Sequence, residues 1–128
     1  MPPFDVRGVQ RRLAAATGGY EIVHESRGLE VGVYVLVAPE PDRQQPHEDD
    51  EVYVVLEGHG VLEVKGAQVS LEEGHALFVP AGADHRFTGY ESLSLLVIFA
   101  RGRDADGGMA FGATPGPGDS EGGDVFPP

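Results

Sequence analysis

Gly74-His75-Ala76-Leu77-Phe78-Val79-Pro80-Ala81-Gly82-Ala83-Asp84-His85 reads as turn, strand, turn, strand. Glu72-Glu73-Gly74 is a polar turn, Ala76–Val79 a short apolar run, and Pro80-Ala81-Gly82 a second turn. Pro80 locks its own φ, and glycines at 74 and 82 suit backbone angles that other residues avoid. Strands this short, bounded by such punctuation, belong to a β-scaffold with many tight reversals.

The same rhythm extends in both directions. Downstream come Asp84–Thr88 and Leu93–Phe99. Upstream, Val52–Leu56 and Val61–Lys65 are expected as two strands joined through Gly58-His59-Gly60, and a turn at Gly66-Ala67 leads into Gln68–Leu71. Earlier still are Tyr20–His24 and Leu29–Ala38, the latter with Val31, Val33, Val35 and Val37 on one face, followed by a polar, proline-containing loop from Glu40 to Asp50. Eight or so short strands with glycine turns predict an all-β, antiparallel barrel or double sheet. Ahead of them, Val6, Val9, Leu13 and Ala16 recur at helical spacing over residues 4–16, with Asp5 as N-cap and Thr17-Gly18-Gly19 as the stop. That helix is expected to dock by its apolar face. Arg7, Arg11 and Arg12 read as its solvated side in preference to an anion-binding patch.

The domain reading is a helix and turn over 1–19, a barrel over 20–100, and a glycine-, proline- and acid-rich tail over 101–128. That tail has too few bulky apolar residues to offset its chain entropy and is expected to be disordered. At 128 residues the chain suits one domain with a single core. It has no cysteine, which removes disulfides, thiolate metal sites and cysteine nucleophiles. The first twenty residues lack the pattern of a secretory signal, and the longest apolar run, Leu93–Ala100, is broken by Ser94 and too short to span a bilayer. A cytoplasmic location with no membrane partner is the expectation. Net charge is −12, from 21 acidic and 9 basic side chains, so a nucleic-acid partner is disfavoured.

The chemistry sits around His47-Glu48-Asp49-Asp50-Glu51 and His85. His47 and Glu51 are four apart, so a regular strand puts both on one face, and His85 arrives from another hairpin. Two imidazoles and a carboxylate with open positions suit a divalent metal: Fe, Mn, Ni, Co or Zn. By parity Tyr53 and Val55 share a face with Glu51, and Phe87 shares one with His85. They are pocket walls or plain core. His24, His59 and His75 read as structural or exposed, and Glu48, Asp49 and Asp50 as solvated loop acids, one of which can serve as a further ligand.

These residues also carry a family pattern. Gln45-x-His47-x-x-x-Glu51, then six residues to Gly58, and Gly74, five residues, Pro80-x-Gly82, two residues, His85, resemble the two motifs of the cupin superfamily of small β-barrels. Gln45 stands where the family has its first histidine, Gly89 where it has an asparagine, and the opening glycine of the first motif is missing. The resemblance implies that His47, Glu51 and His85 are metal ligands. It offers Gln45 as a fourth ligand through its amide oxygen, or as a hydrogen-bonding neighbour. It further implies a small-molecule substrate or ligand, with a dioxygenase ahead of an isomerase if the chain is an enzyme. The rival reading is a non-catalytic binding or sensing module. Tyr53 is the candidate proton or hydrogen-bond donor. The resemblance also implies a homodimer, with Tyr20–His24 as the edge that would pair.

Overall fold

A computed structural model describes residues 2–44 and 47–101. Gln45, Pro46 and all of the expected tail beyond Arg101 lie outside the described residues. Among the described residues one helix precedes seven strands: α1 (Val6–Ala15), β1 (Gly19–Ser26), β2 (Leu29–Val37), β3 (Asp50–Val64), β4 (Ala67–Glu72), β5 (Ala76–Val79), β6 (His85–Thr88) and β7 (Ser92–Ala100). All pairings are antiparallel. The expected all-β barrel with a short N-terminal helix is what the chain forms.

α1 begins where its cap predicts: the Asp5 carboxylate accepts from the Gly8 N–H at 3.0 Å. It ends as Thr17 and Gly18 take positive φ, and Gly18 N–H closes on the Leu13 carbonyl at 2.8 Å. Val9 packs on Val33 and Val35, with Val6 and Leu13 beside it. The valine face of β2 therefore meets the helix, while the alternate residues Tyr34 and Leu36 enter the main core. Both faces of β2 are buried, which is why its apolar run shows so little alternation.

β3 corrects the sequence reading. Gly58-His59-Gly60 is no hairpin turn. The chain runs through it as one 15-residue strand that exchanges partners on the way. Its first half pairs with β5 and β7, its second with β4 and β6. The register slips between Val55 and Glu57, a bulge that bends the strand. Gly58 follows with φ +89°, and a Cβ there would stand 2.1 Å from the Ser92 carbonyl oxygen. These glycines make a corner between two sheets. That corner wraps the second half of β3 over the first, and Tyr53, Val55, Leu62, Phe87, Leu95 and Val97 meet inside with almost no exposure. On the outside, the register aligns Val31, Ile98, Val52 and Phe78 in one row, and Phe78 stays 56% exposed.

Candidate metal and ligand site

Two hydrogen bonds from one turn bring the motif segments together. The Pro80-Ala81-Gly82 turn donates its Ala81 N–H to Asp50 Oδ1 at 2.9 Å and its Gly82 N–H to the His47 carbonyl at 2.6 Å. Asp50, expected as a solvated loop acid, thus clasps the turn that launches β6. His85 is the first residue of that strand and Glu51 the second of β3.

Glu51 points inward between Val79 and Phe99, its backbone neighbours in the sheet, and is 1% exposed. His85 is buried against it, with Nε2 lying 3.2 Å from Glu51 Oε1. The opposite ring nitrogen, Nδ1, is 2.8 Å from the Ala83 carbonyl. A carbonyl only accepts, so Nδ1 carries a proton and Nε2 is the atom presented to the site. His47 sits at the same end, its ring edge-on to Phe99 at 4.9 Å and 6.4 Å from the His85 ring. Of the expected ligands, Glu51 and His85 are in contact, His47 is adjacent, and Gln45 lies outside the described residues.

Among the described residues, no three His, Asp or Glu side chains already stand at chelating distances. With metal–nitrogen bonds of about 2.1 Å, two imidazoles on adjacent positions of one ion have centroids roughly 5 Å apart. His47 would have to swing inward by a modest side-chain rotation. The donor set nonetheless fits a cation. Both oxygens of Glu51 are buried without a hydrogen-bond partner in good geometry, despite the short approach of His85. A carboxylate left that way needs a positive neighbour. Its pKa is raised by burial, an effect that His85 and Tyr53 only partly offset. Burial pulls the His85 pKa down, but the Glu51 carboxylate and the Ala83 carbonyl outweigh it and leave it raised.

A pH dependence follows from these two shifts. Both groups hold protons more tightly folded than unfolded, so around neutral pH the native state binds more protons than the denatured chain. Their contribution to stability is present at lower pH and is lost as pH rises through the folded values. With chelator present, the melting temperature should fall between about pH 6 and pH 8, and Glu51→Gln should flatten that slope. A saturating divalent cation should reverse the trend, because a cation competes with the protons. A slope that Glu51→Gln leaves unchanged would assign the effect to the general surplus of acid.

Tyr53 lies where strand parity expected it, fully buried, with its hydroxyl 3.0 Å from His85 Nε2. That hydroxyl donates to Gln44 Oε1 at 2.9 Å. Burial, then the charge of Glu51, holds the phenol well above its ordinary pKa. Sequence reading missed what lies behind it. Gln44 Nε2 donates to Asp42, and Asp42, only 5% exposed, also accepts from Tyr34 Oη at 2.6 Å and Phe87 N–H at 2.8 Å. Nothing in the loop's composition marks Asp42 as buried, since its partners are 8 and 45 residues away. The other histidines take bland roles: His59 is exposed in β3, His75 Nδ1 caps its own turn by accepting from Glu72 N–H at 3.0 Å, and His24 bonds to Ser26 at 3.1 Å.

Residues 33–99, just over half of the chain, match the cupin domain family. The chain is a cupin. It is 35% identical over 101 residues to an uncharacterized protein of Streptomyces coelicolor, covering 78% of this chain and 96% of that one. It is also 36% identical over 75 residues to an acireductone dioxygenase of Leishmania major. That match covers 54% of this chain but only 22% of the dioxygenase. Among solved structures, an RmlC-like cupin with a double-stranded β-helix fold from Methanocaldococcus jannaschii superposes with a TM-score of 0.61. It is 16% identical and covers 66% of this cupin and 81% of that chain. That likeness speaks for the fold alone.

Proposed function

We propose that this cupin holds one divalent cation (Fe, Mn, Ni, Co or Zn) through His47, Glu51 and His85, with Gln45 as the candidate fourth ligand, and acts on a small organic molecule. The observation that carries the reading is Glu51: a carboxylate 1% exposed, its oxygens without a well-aligned hydrogen bond, with an imidazole nitrogen 3.2 Å away. Bound there, a cation would supply Lewis-acid or oxygen-activating chemistry to an oxygen-bearing substrate. The protein's own residues would fix its ligands: the Ala83 carbonyl sets the His85 tautomer, and the Asp50 and His47 ties hold the β5–β6 turn in place.

The likeness to the Leishmania acireductone dioxygenase supports an oxygenase ahead of other reactions, although it covers about a fifth of that enzyme. Gln45 favours the alternative, a binding module without turnover, because an amide oxygen is a weaker ligand than imidazole. Elemental analysis of protein made without added metal is the first test. Near-stoichiometric cation is expected, and a metal-free protein that takes up none of the five ions would sink the proposal. Oxygen uptake by the Fe(II)-loaded protein with diketones, catechols and flavonoids separates the oxygenase from the module.

We further propose a cytoplasmic homodimer. Among the described residues no helix is long and apolar enough to cross a membrane. Among the described residues β1 pairs only with β2, so its other edge can take a second copy. Light scattering should return twice the 13.6 kDa chain mass.

A further inference from the structure

We infer that two copies of this cupin pair through the outer face of the sheet beside α1, the helix of each copy seated against the bare half of the other's sheet. The inference rests on the proposed homodimer and names the surface that carries it, in place of the open edge of β1.

Strand alternation lays the face down. Register carries one outward row across five strands, from His24 through Val31, Ile98 and Val52 to Phe78. At ~4.8 Å per strand the row is about 19 Å wide. It holds no acid, although the chain has 21. Among the described residues the exposed large hydrophobic side chains are Phe4, Leu29 and Phe78, and all three belong to this face. Phe4 sets its ring against His24 at 5.6 Å, Leu29 shares the outward parity of Val31, and Phe78 ends the row. At the other end of the same face α1 covers Val33, Val35 and Leu96, and this end is left bare. Aromatic and β-branched side chains exposed together, with charge kept away from them, mark the core of an interface.

Shape, charge and the state of the β1 edge make a second copy the occupant. α1 raises one end of the face by about a helix diameter, ~10 Å, so the surface is a step. Two such steps related by a twofold axis fill each other, helix onto bare sheet, and every contact is made twice. Charge follows the same division. α1 carries Arg7, Arg11 and Arg12 and no acid, while Glu48-Asp49-Asp50 leads into β3 at the bare end. The twofold brings the basic end of each copy to the acidic end of the other. The bare patch alone is roughly 300 Å2 per copy; doubled, and joined by the two helices, it approaches the ~1,000 Å2 that a specific pair needs. Pairing through the β1 edge would leave Phe78, four strands away, in water. The bulge between Ile22 and His24 also blunts that edge.

The test is the mass of the full chain by light scattering over a dilution series. Wild type should dissociate from twice 13.6 kDa to the single chain with a measurable midpoint. Phe78→Lys should raise the dissociation constant by about 30-fold or more, the cost of losing an aromatic anchor. Phe78 is already 56% exposed, so lysine there leaves the fold intact, which an unchanged circular dichroism spectrum checks. The new lysine also reduces the net charge of −12, so general repulsion between copies would act in the opposite direction. Arg11→Glu should weaken pairing severalfold, while Arg86→Glu, the same charge change at an exposed position of β6 away from this face, should not. A Phe78→Lys dimer as tight as wild type overturns the inference and returns the contact to the β1 edge. A wild-type chain that stays single up to millimolar concentration overturns the proposed homodimer and the inference with it.

Discussion

His85→Ala is expected to abolish cation binding by this cupin. His85 supplies the one ring nitrogen already in contact with Glu51, at 3.2 Å, and its tautomer is set by Ala83. Without it, His47 and Glu51 remain as two of the proposed ligands, from one loop-and-strand segment, too few to hold an ion against water. The affinity loss should exceed the ~100-fold that removing a merely supporting residue can cost at a metal site. A second effect acts without metal. Glu51 stays buried and loses its positive neighbour, so the metal-free variant should also be less stable around neutral pH. Calorimetric titration with Zn(II), beside elemental analysis, reads the first effect, and His75→Ala, an exposed turn residue, serves as the control. Full occupancy in His85→Ala would show that the ion sits elsewhere.

Gly58→Ala should be the most damaging single methyl added to the fold. Gly58 has φ +89°, and its new Cβ would meet the Ser92 carbonyl oxygen at 2.1 Å and Leu93 Cα at 3.3 Å. The left-handed backbone costs roughly 1–2 kcal/mol for any L side chain. The clash with backbone adds to it, since neither β3 nor β7 can retreat without breaking the pairing of Gly58 with Leu93. A total of about 3 kcal/mol or more is expected, a large share of the stability of a small domain. Gly66→Ala isolates the two contributions: φ is similar at +84°, but nothing lies within 4 Å. Urea unfolding should place Gly66→Ala well above Gly58→Ala in midpoint. Equal losses would mean that the corner of β3 is looser than its geometry implies.

Gly58 also marks where sequence reading stopped. A Gly-x-Gly between two apolar runs has the local chemistry of a hairpin, and only the pairing partners reveal that the strand continues and turns a corner. The shorter elements were legible because each is closed by its own punctuation: Gly74 before β5, Pro80 and Gly82 after it, Thr17 and Gly18 after α1. Glu51, Tyr53 and Val55 were legible as one inward face by strand parity alone, and all three are buried. The valines of β2 were legible as a face, but not as the face that meets the helix. Asp42 and Gln44 were not legible. Their significance comes from Tyr34, Phe87 and Tyr53, which tertiary pairing brings to them, and a lone Asp in a proline-containing loop gives no local sign of burial. The spacing of His47, Glu51 and His85 identified a meeting point, while the remaining gap between the two imidazoles is a matter of side-chain rotation that no pattern of residues specifies.

On the proposed function, a cation completes the buried pair of Glu51 and His85. Anomalous diffraction from crystals of the Co(II)-loaded protein, recorded on both sides of the cobalt edge, tests it most directly. One peak per chain is predicted within bonding distance of Glu51 and His85, with the His47 ring swung in to share it. A strong peak confined to the exposed histidines 59 or 75, or no peak at that pair in protein shown to bind cobalt in solution, would contradict it.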